Sequence, residues 1–374
     1  MTVVVERERR VGRVVEIASL HTFDQLVAEG ARRMEGWRLR DVDLRDRTAA
    51  LLGLDPAGAL LLGCELTDAA AGHLHGGGAV VFPEVPDAPV DAYRHDLYSP
   101  AELYGPLADG GSVYEDSLDA RVYAWSQRPQ PPAEQAVAGA LHDAAIEAAL
   151  DRSIAGQRLV GVMGGHAVAR GDDSYRAAAE LGRALTRADL IVATGGGPGA
   201  MEAANLGAFF AIAADEALDD ALARLSAVPS FRPSVTAWAA AGFDVRRRWP
   251  GGDGGIGVPT WFYGHEPPNA FADRIAKFVQ NSLREATLLQ RCNGGIVFLP
   301  GAAGTVQEIF QDACENYYAE PPNVAPMVLV GRHHWTETLP AWPLLRALAA
   351  DRPMGGVIEL VDTPAEAVAV LASA

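Results

Sequence analysis

The sequence predicts an α/β protein. Its main part is a Rossmann-like, doubly wound parallel sheet with helices on both faces, preceded by a smaller N-terminal α+β accessory domain. Three observations carry that prediction. From Arg158 onward, short apolar runs rich in β-branched residues alternate with helix-period segments, the pattern of strand–helix–strand crossovers. Three of the strand-like runs pass directly into glycine-bearing loops, at Gly164, Gly195 and Gly301. In doubly wound sheets such loops gather at the carboxyl ends of the strands, where ligands bind. The chain has 374 residues, long enough for one such domain and a smaller companion.

Residues 1–125 are expected to form the accessory domain. Arg13–Ala18, Trp37–Leu44, Ala59–Leu66 and Ala79–Phe82 read as strands, and Thr22–Met34 as a helix with Thr22 and Gln25 spaced as a capping box. Gly76, Gly77 and Gly78 precede a strand-like run rather than a helix, so they read as a turn and not as a phosphate loop. His73 and His75 have no partner cluster in the sequence, and no metal is expected. Residues 126–132, SQRPQPP, are polar and carry three prolines, the composition of an extended linker.

Residues 133–374 are expected to form the Rossmann-like domain. Ala133–Leu150 is an alanine-rich helix; Leu159–Met163 is a strand that exits through Gly164-Gly165-His166 into a helix over Ser174–Arg187. Leu190–Ala193 is the next strand and runs through Thr194 and the loop Gly195-Gly196-Gly197-Pro198-Gly199 into a helix from Ala200 to about Phe210. Residues 226–257, punctuated by prolines and glycines, read as an irregular solvated or subunit-facing stretch carrying Arg246, Arg247 and Arg248. Val258–Tyr263 is strand-like. The Gly264-His265-Glu266 stretch after it lacks the second histidine of a zinc-protease helix and reads as structural or substrate-lining. Asn269–Arg291 has helical spacing, with Asn269 as its cap. Its aromatic positions Phe271 and Phe278 point to a homodimer or higher homo-oligomer. The tail supplies strands over 326–330 and 357–361 and helices over 342–350 and 364–372; His333 and His334 receive no role.

The candidate chemistry lies in Gly294–Tyr318. Ile296–Leu299 reads as a buried strand that stops at Pro300, passes through small residues and re-emerges as a helix. That layout aims free N–H groups and the positive end of a helix dipole at an anion. Gly301, Ala303, Gly304 and Thr305 form the expected phosphate cradle, and Gly164, Gly165, Gly195, Gly196, Gly197 and Gly199 the rest of a nucleotide crevice. Glu308 follows Thr305 by three residues and shares its helix face. It serves either chemistry or the helix dipole.

Composition narrows the function classes. Net charge is -17, with a pI near 4.9, an average field that repels nucleic acid. Cys64, Cys292 and Cys314 are widely spaced, which gives neither a disulfide framework nor zinc spacing. No stretch reaches about 18 uninterrupted apolar residues, and a soluble, cytoplasmic protein is expected, with no membrane partner. Lys277 is the one lysine in the chain. Placed away from the glycine loops, it makes a poor Schiff-base residue for pyridoxal phosphate; no cofactor is expected.

The paired stretches GGGPGAMEAANLGA (Gly195–Ala208) and PGAAGTVQE (Pro300–Glu308) resemble the LOG family, whose members are often mislabelled lysine decarboxylases. The family signature is GGGxxGLM followed about a hundred residues later by PGGxGTxxE, and the likeness covers roughly residues 158–330. The resemblance implies a Rossmann-like fold and hydrolysis of the N-glycosidic bond of nucleoside 5′-monophosphates, such as AMP, GMP or an N6-modified adenine nucleotide, to free base and ribose 5-phosphate. It implies Glu308 as the catalytic glutamate and Arg284, in the place of an RKxxM arginine, as its partner. Three departures stand out: Ala302 for the second glycine of PGG, Glu285 for the lysine, and one extra residue between Arg284 and Pro300. If the Ala302 position required φ > 0, alanine there would cost on the order of 1 kcal/mol. A non-catalytic nucleotide-binding or sensing protein of the same fold remains the alternative reading.

Overall fold

A computed structural model describes residues 14–85, 88–129, 133–262 and 266–373. Arg13, the linker residues 130–132, Tyr263 and the Gly264-His265 pair lie outside the described residues. The chain divides into two units, Met1–His95 and Asp96–Ala374.

The first unit alternates strand and helix: β1 (Val15–Ile17), α1 (Leu20–Ala28), β2 (Trp37–Arg40), α2 (Thr48–Leu52), β3 (Leu60–Leu62), α3 (Asp68–Gly76) and β4 (Val80–Phe82). The strands are parallel and lie side by side in chain order. Pairing of Val15 with Trp37, Arg38 with Leu60 and Leu60 with Val80 gives a repeat of about 20 residues, the hallmark of a stacked β–α solenoid. Gly36, Gly58 and Gly78 enter successive strands with φ of 77°, 78° and 89°, so the same left-handed turn recurs once per repeat. Successive repeats bury Trp37, Ala59 and Ala79, and Leu39 and Leu61 beside them, in one continuous core. Two local expectations fail. Ser19, not Thr22, caps α1, accepting the Thr22 N–H at 3.2 Å, and α1 ends at Ala28 because the chain turns through Gly30 at φ 91°. His73 and His75 lie on α3 and sit 3.0 and 2.9 Å from the carbonyls of Leu54 and Ala71. No group of metal-ligating side chains occurs among the described residues.

The second unit opens with α4 (Pro100–Tyr104), α5 (Leu118–Ser126) and α6 (Ala133–Ile154). Then follow β5 (Leu159–Met163), α7 (Asp173–Arg187), β6 (Ile191–Thr194), α8 (Ala200–Phe209), α9 (Asp215–Leu225), α10 (Val235–Arg248), β7 (Ile256–Gly257) and β8 (Arg274–Ile275). The chain continues through α11 (Asn281–Arg291), β9 (Ile296–Phe298), α12 (Ala303–Tyr318), β10 (Met327–Val330), α13 (Ala341–Ala349), β11 (Ile358–Val361) and α14 (Pro364–Ser373). The seven-stranded sheet is parallel throughout, in the order β11-β10-β9-β5-β6-β7-β8. All five residues of β5 are buried, as the centre of a sheet covered on both faces requires. The chain winds from β5 out to β8, then returns to lay β9 on the other side of β5. That reversal opens a crevice at the strand ends, where Met163 and Phe298 are in register.

Four expectations are corrected in this unit. The expected linker at 126–132 does not mark the division between units, which falls at His95. Residues 96–126 carry aromatic anchors that pack into the second unit: Tyr104 is fully buried and bonds the Pro268 carbonyl, and Trp125 is 5% exposed. Residues 226–257 contain α10, capped by Ser234, whose hydroxyl accepts the Ala237 N–H. The three arginines fill its last turn, where cations complement the dipole, and pair with Asp273, Asp244 and Asp220. Finally, residues 269–280 are extended. Asn269 accepts the N–H groups of Phe271 and Ala272 in a turn, and the Ile275 N–H bonds the Tyr98 carbonyl at 2.8 Å. Phe271 and Phe278 are fully buried inside the unit, so they present no face to a second subunit. The strand-like run expected at 258–263 starts earlier, as β7, and among its described residues leaves only a bridge from Thr260 to Phe278.

Lys277 ties these segments together. Its ammonium lies 2.5 Å from Asp119, whose carboxylate also accepts the Trp261 indole N–H at 2.7 Å and the Tyr114 hydroxyl at 2.5 Å. Both charged side chains are essentially inaccessible, and burial pulls the Lys277 pKa down while Asp119 opposes it. Removing one member of a buried pair strands the other. Lys277→Met is therefore expected to lower unfolding stability by about 3–5 kcal/mol, read from urea unfolding of the full chain; a loss below about 1 kcal/mol contradicts this reading of the cluster.

Candidate functional site

A cavity of about 550 Å³ sits at the exits of β5, β6 and β9, the place the strand order predicts. Arg284 and Glu308 both line it, one from α11 and one from α12. The Arg284 Nη1 and Glu308 Oε1 atoms are 3.6 Å apart, and the side chains are 12% and 15% exposed. Each end of α11 is fixed to α6. Asp143, fully buried, accepts the N–H groups of Val279 and Gln280 at 2.8 Å each, ahead of the first turn. At the other end Arg291 reaches Glu147 at 2.8 Å and Asp151 at 3.0 Å. Arg284 is aimed further by its Nε, which donates to the Val258 carbonyl at 2.7 Å. Gly195 makes room for it: a Cβ there would lie 2.3 Å from an Arg284 nitrogen.

The phosphate-loop residues stand where a strand–loop–helix junction puts them. No side chain caps α12, which leaves its first N–H groups without a side-chain acceptor, and Ala302, Ala303, Gly304 and Thr305 at its start line the cavity. Ala302 has φ −116°, a conformation open to any residue, so the strain expected of alanine at this position does not arise. Glu285 has a structural use. Its two carboxylate oxygens accept from Asn281 at 2.6 Å and from Gln307 at 2.7 Å, linking α11 to α12.

Of the sequence-predicted residues, Gly164, Gly165, Gly195, Gly197, Ala303, Gly304, Thr305, Arg284 and Glu308 line this one cavity. Three do not. Gly196 lies behind the wall, its N–H on the Thr194 hydroxyl and its carbonyl accepting from Asn269. Gly199 faces a neighbouring cavity. Gly301 packs against Thr305, and its carbonyl lies 3.1 Å from His334 Nε2, so His334 steadies the loop from beyond β10. Sequence reasoning gave His334 no role because 33 residues separate it from Gly301. Asn281, Gln307, Thr260 and Met201 also line the cavity and were missed. Asn281 was hidden by the misread start of its helix, and its buried Oδ1 has no partner among the described residues.

Burial sets the electrostatics. It raises the Glu308 pKa to about 7; Arg284 opposes the rise, while Glu285 and Glu266 add to it. One turn along α12, burial lifts Asp312 to about 8, with Glu315 adding to it, and Asp312 Oδ2 has no partner among the described residues. For both groups the folded chain holds protons that the unfolded chain releases. Stability is therefore lost as pH rises from the ordinary carboxylate range through about 7 to 8. The expected outcome is a lower unfolding free energy at pH 8.5 than at pH 5.5, with Asp312→Asn shrinking the difference by on the order of 1–3 kcal/mol. Denaturant titrations at the two pH values test it; an unchanged difference in the variant contradicts the assignment to Asp312.

Residues 157–213 match the SLOG cluster4 family, a stretch that holds β5, α7, β6 and the glycine loop before α8. Among solved structures, the chain is similar to the molybdenum cofactor carrier protein of Chlamydomonas reinhardtii, at 20% identity and a TM-score of 0.37 over 58% of this chain and 97% of that one. It is also similar to the structural-genomics target TM1055, at 18% identity and a TM-score of 0.36 over 58% of this chain and 100% of that one. No curated protein matches the chain. No helix among the described residues is long and apolar enough to cross a membrane.

Proposed function

We propose that the second unit hydrolyses the N-glycosidic bond of a nucleoside 5′-monophosphate, releasing free base and ribose 5-phosphate. The observation that carries this reading is the 3.6 Å approach of Arg284 to Glu308, in a cavity whose wall includes the uncapped start of α12. Such a helix start binds phosphate through backbone N–H groups and the dipole behind them. With the phosphate held by Gly304 and Thr305, the ribose lies toward Glu308 one turn on. Breaking the C–N bond builds positive charge on the sugar, as in glycoside hydrolysis. A fixed carboxylate stabilises that charge most where water is scarce. Glu308 does so and helps position the attacking water. Arg284 orients the carboxylate and binds phosphate or ribose. The departing base takes its proton from solvent or from a group on the cavity wall. The match of residues 157–213 to the SLOG cluster4 family is consistent with a nucleotide-related role.

One observation favours the second reading, nucleotide binding without cleavage. Glu285 and Glu266 add negative charge around Glu308 and help hold its proton up to about pH 7, whereas stabilising a cation requires the ionised form. The same assay separates the two. Purified protein incubated with AMP and GMP is expected to release free base, and Glu308→Ala and Arg284→Ala to lower the rate by at least about 100-fold. The wild-type rate is expected to rise with pH through about 7 as Glu308 ionises. Equal release by all three proteins removes both residues from the mechanism; nucleotide recovered intact from the wild type supports the binding protein.

A further inference from the structure

Beyond His166 and Glu266 lies a second cavity of about 410 Å³, within the roughly 300–1,000 Å³ of small-molecule pockets. The two cavities share His166, Ala167 and Glu266 as wall residues. His166 Nδ1 and a Glu266 carboxylate oxygen are 3.3 Å apart, with side chains 59% and 34% exposed. A contact that exposed holds little energy, so a ligand can part it and run from one cavity into the other.

The second cavity has its own chemistry. On its floor Arg170 is neutralised: it pairs with Glu202 through Nε at 2.9 Å and Nη2 at 2.5 Å, and donates to the Trp238 carbonyl at 3.0 Å. Its rim carries Ser230, Phe231 and Arg232. The exposed Arg232 guanidinium lies 5.5 Å from the Phe231 ring and makes no ion pair with the described residues. Glu202 and Glu266 are the acidic residues of this cavity; Glu202 is held by Arg170, while Glu266 pairs with His166 and is freed where a ligand parts that contact. An unpaired guanidinium beside an aromatic face, in a chain of net charge -17, suits a phosphate-bearing aromatic group.

We infer that this cavity binds the second half of a ligand whose first half fills the Arg284–Glu308 cavity, so that the preferred ligand is a nucleotide joined through its phosphate to a further group. The inference rests on reading the first cavity as a nucleotide site, but not on cleavage there. The test is calorimetric titration of AMP and of diadenosine pyrophosphate into the Glu308→Gln protein, with and without Arg232→Glu. Diadenosine pyrophosphate is expected to bind at least about tenfold tighter than AMP. Arg232→Glu, on an exposed loop, is expected to erase that advantage while leaving AMP affinity within about twofold. Equal affinities for the two ligands, or equal weakening of both by Arg232→Glu, overturns the inference. So does inorganic phosphate that raises AMP affinity to the level of the dinucleotide, since the second site would then take a separate anion. Base release from AMP by the wild type is scored apart. Binding with no release contradicts hydrolysis and leaves this inference intact, and failure to bind AMP overturns both.

Discussion

The site depends on keeping a carboxylate and a guanidinium together in a cavity that is mostly shielded from water. Burial alone drives Glu308 toward its neutral form, and Arg284, 3.6 Å away, pulls it back. The outcome is a carboxyl that titrates near pH 7, within reach of both protonation states under ordinary conditions. Glu285 sharpens the balance. It adds a like charge near Glu308, yet its bond from Gln307 joins the two helices that carry the pair, while Asn281 on its own helix holds its other oxygen. A residue that looks like a defect in the motif is thus a brace for its geometry.

The rest of the second unit holds that pair in place. Placing β9 beside β5 brings the two loops together, and Gly165 donates its N–H toward the Pro300 carbonyl across the gap. The fully buried Asp143 sets the start of α11, and the Arg284 side chain is then fixed by a carbonyl from the β7 exit. His334 braces the loop from the far side of β10. Each contact narrows the rotamers open to the Arg284–Glu308 pair, which is how a scaffold turns chain entropy lost in folding into positional accuracy.

The sheet of the second unit was readable because its strands are buried on both faces and stand out as apolar runs between helix-period segments. The pairing of Arg284 with Glu308 was implied by the resemblance to the LOG family, and the two side chains do meet. What escaped had physical causes. The segment 269–280 shows helical spacing at Phe271, Ile275 and Phe278, all three of which are buried, but edge pairing with Tyr98 outweighs propensity. Prolines around α10 masked a 14-residue helix that Ser234 starts cleanly. In the first unit, strands of three or four residues carry little pattern individually. Their signal lies in the recurrence of Gly36, Gly58 and Gly78, visible only when the sequence is compared with itself. His334 opens a short π-helical turn, and its contact with Gly301 depends on a distance no linear reading supplies.

The most direct measurement is a crystal structure of the protein with ribose 5-phosphate bound. The account predicts phosphate oxygens within hydrogen-bonding distance of the Gly304 and Thr305 backbone N–H groups, and the ribose hydroxyls on Glu308 with Arg284 beside them. Sugar phosphate bound elsewhere, or turned so that its ring lies away from Glu308, would contradict it.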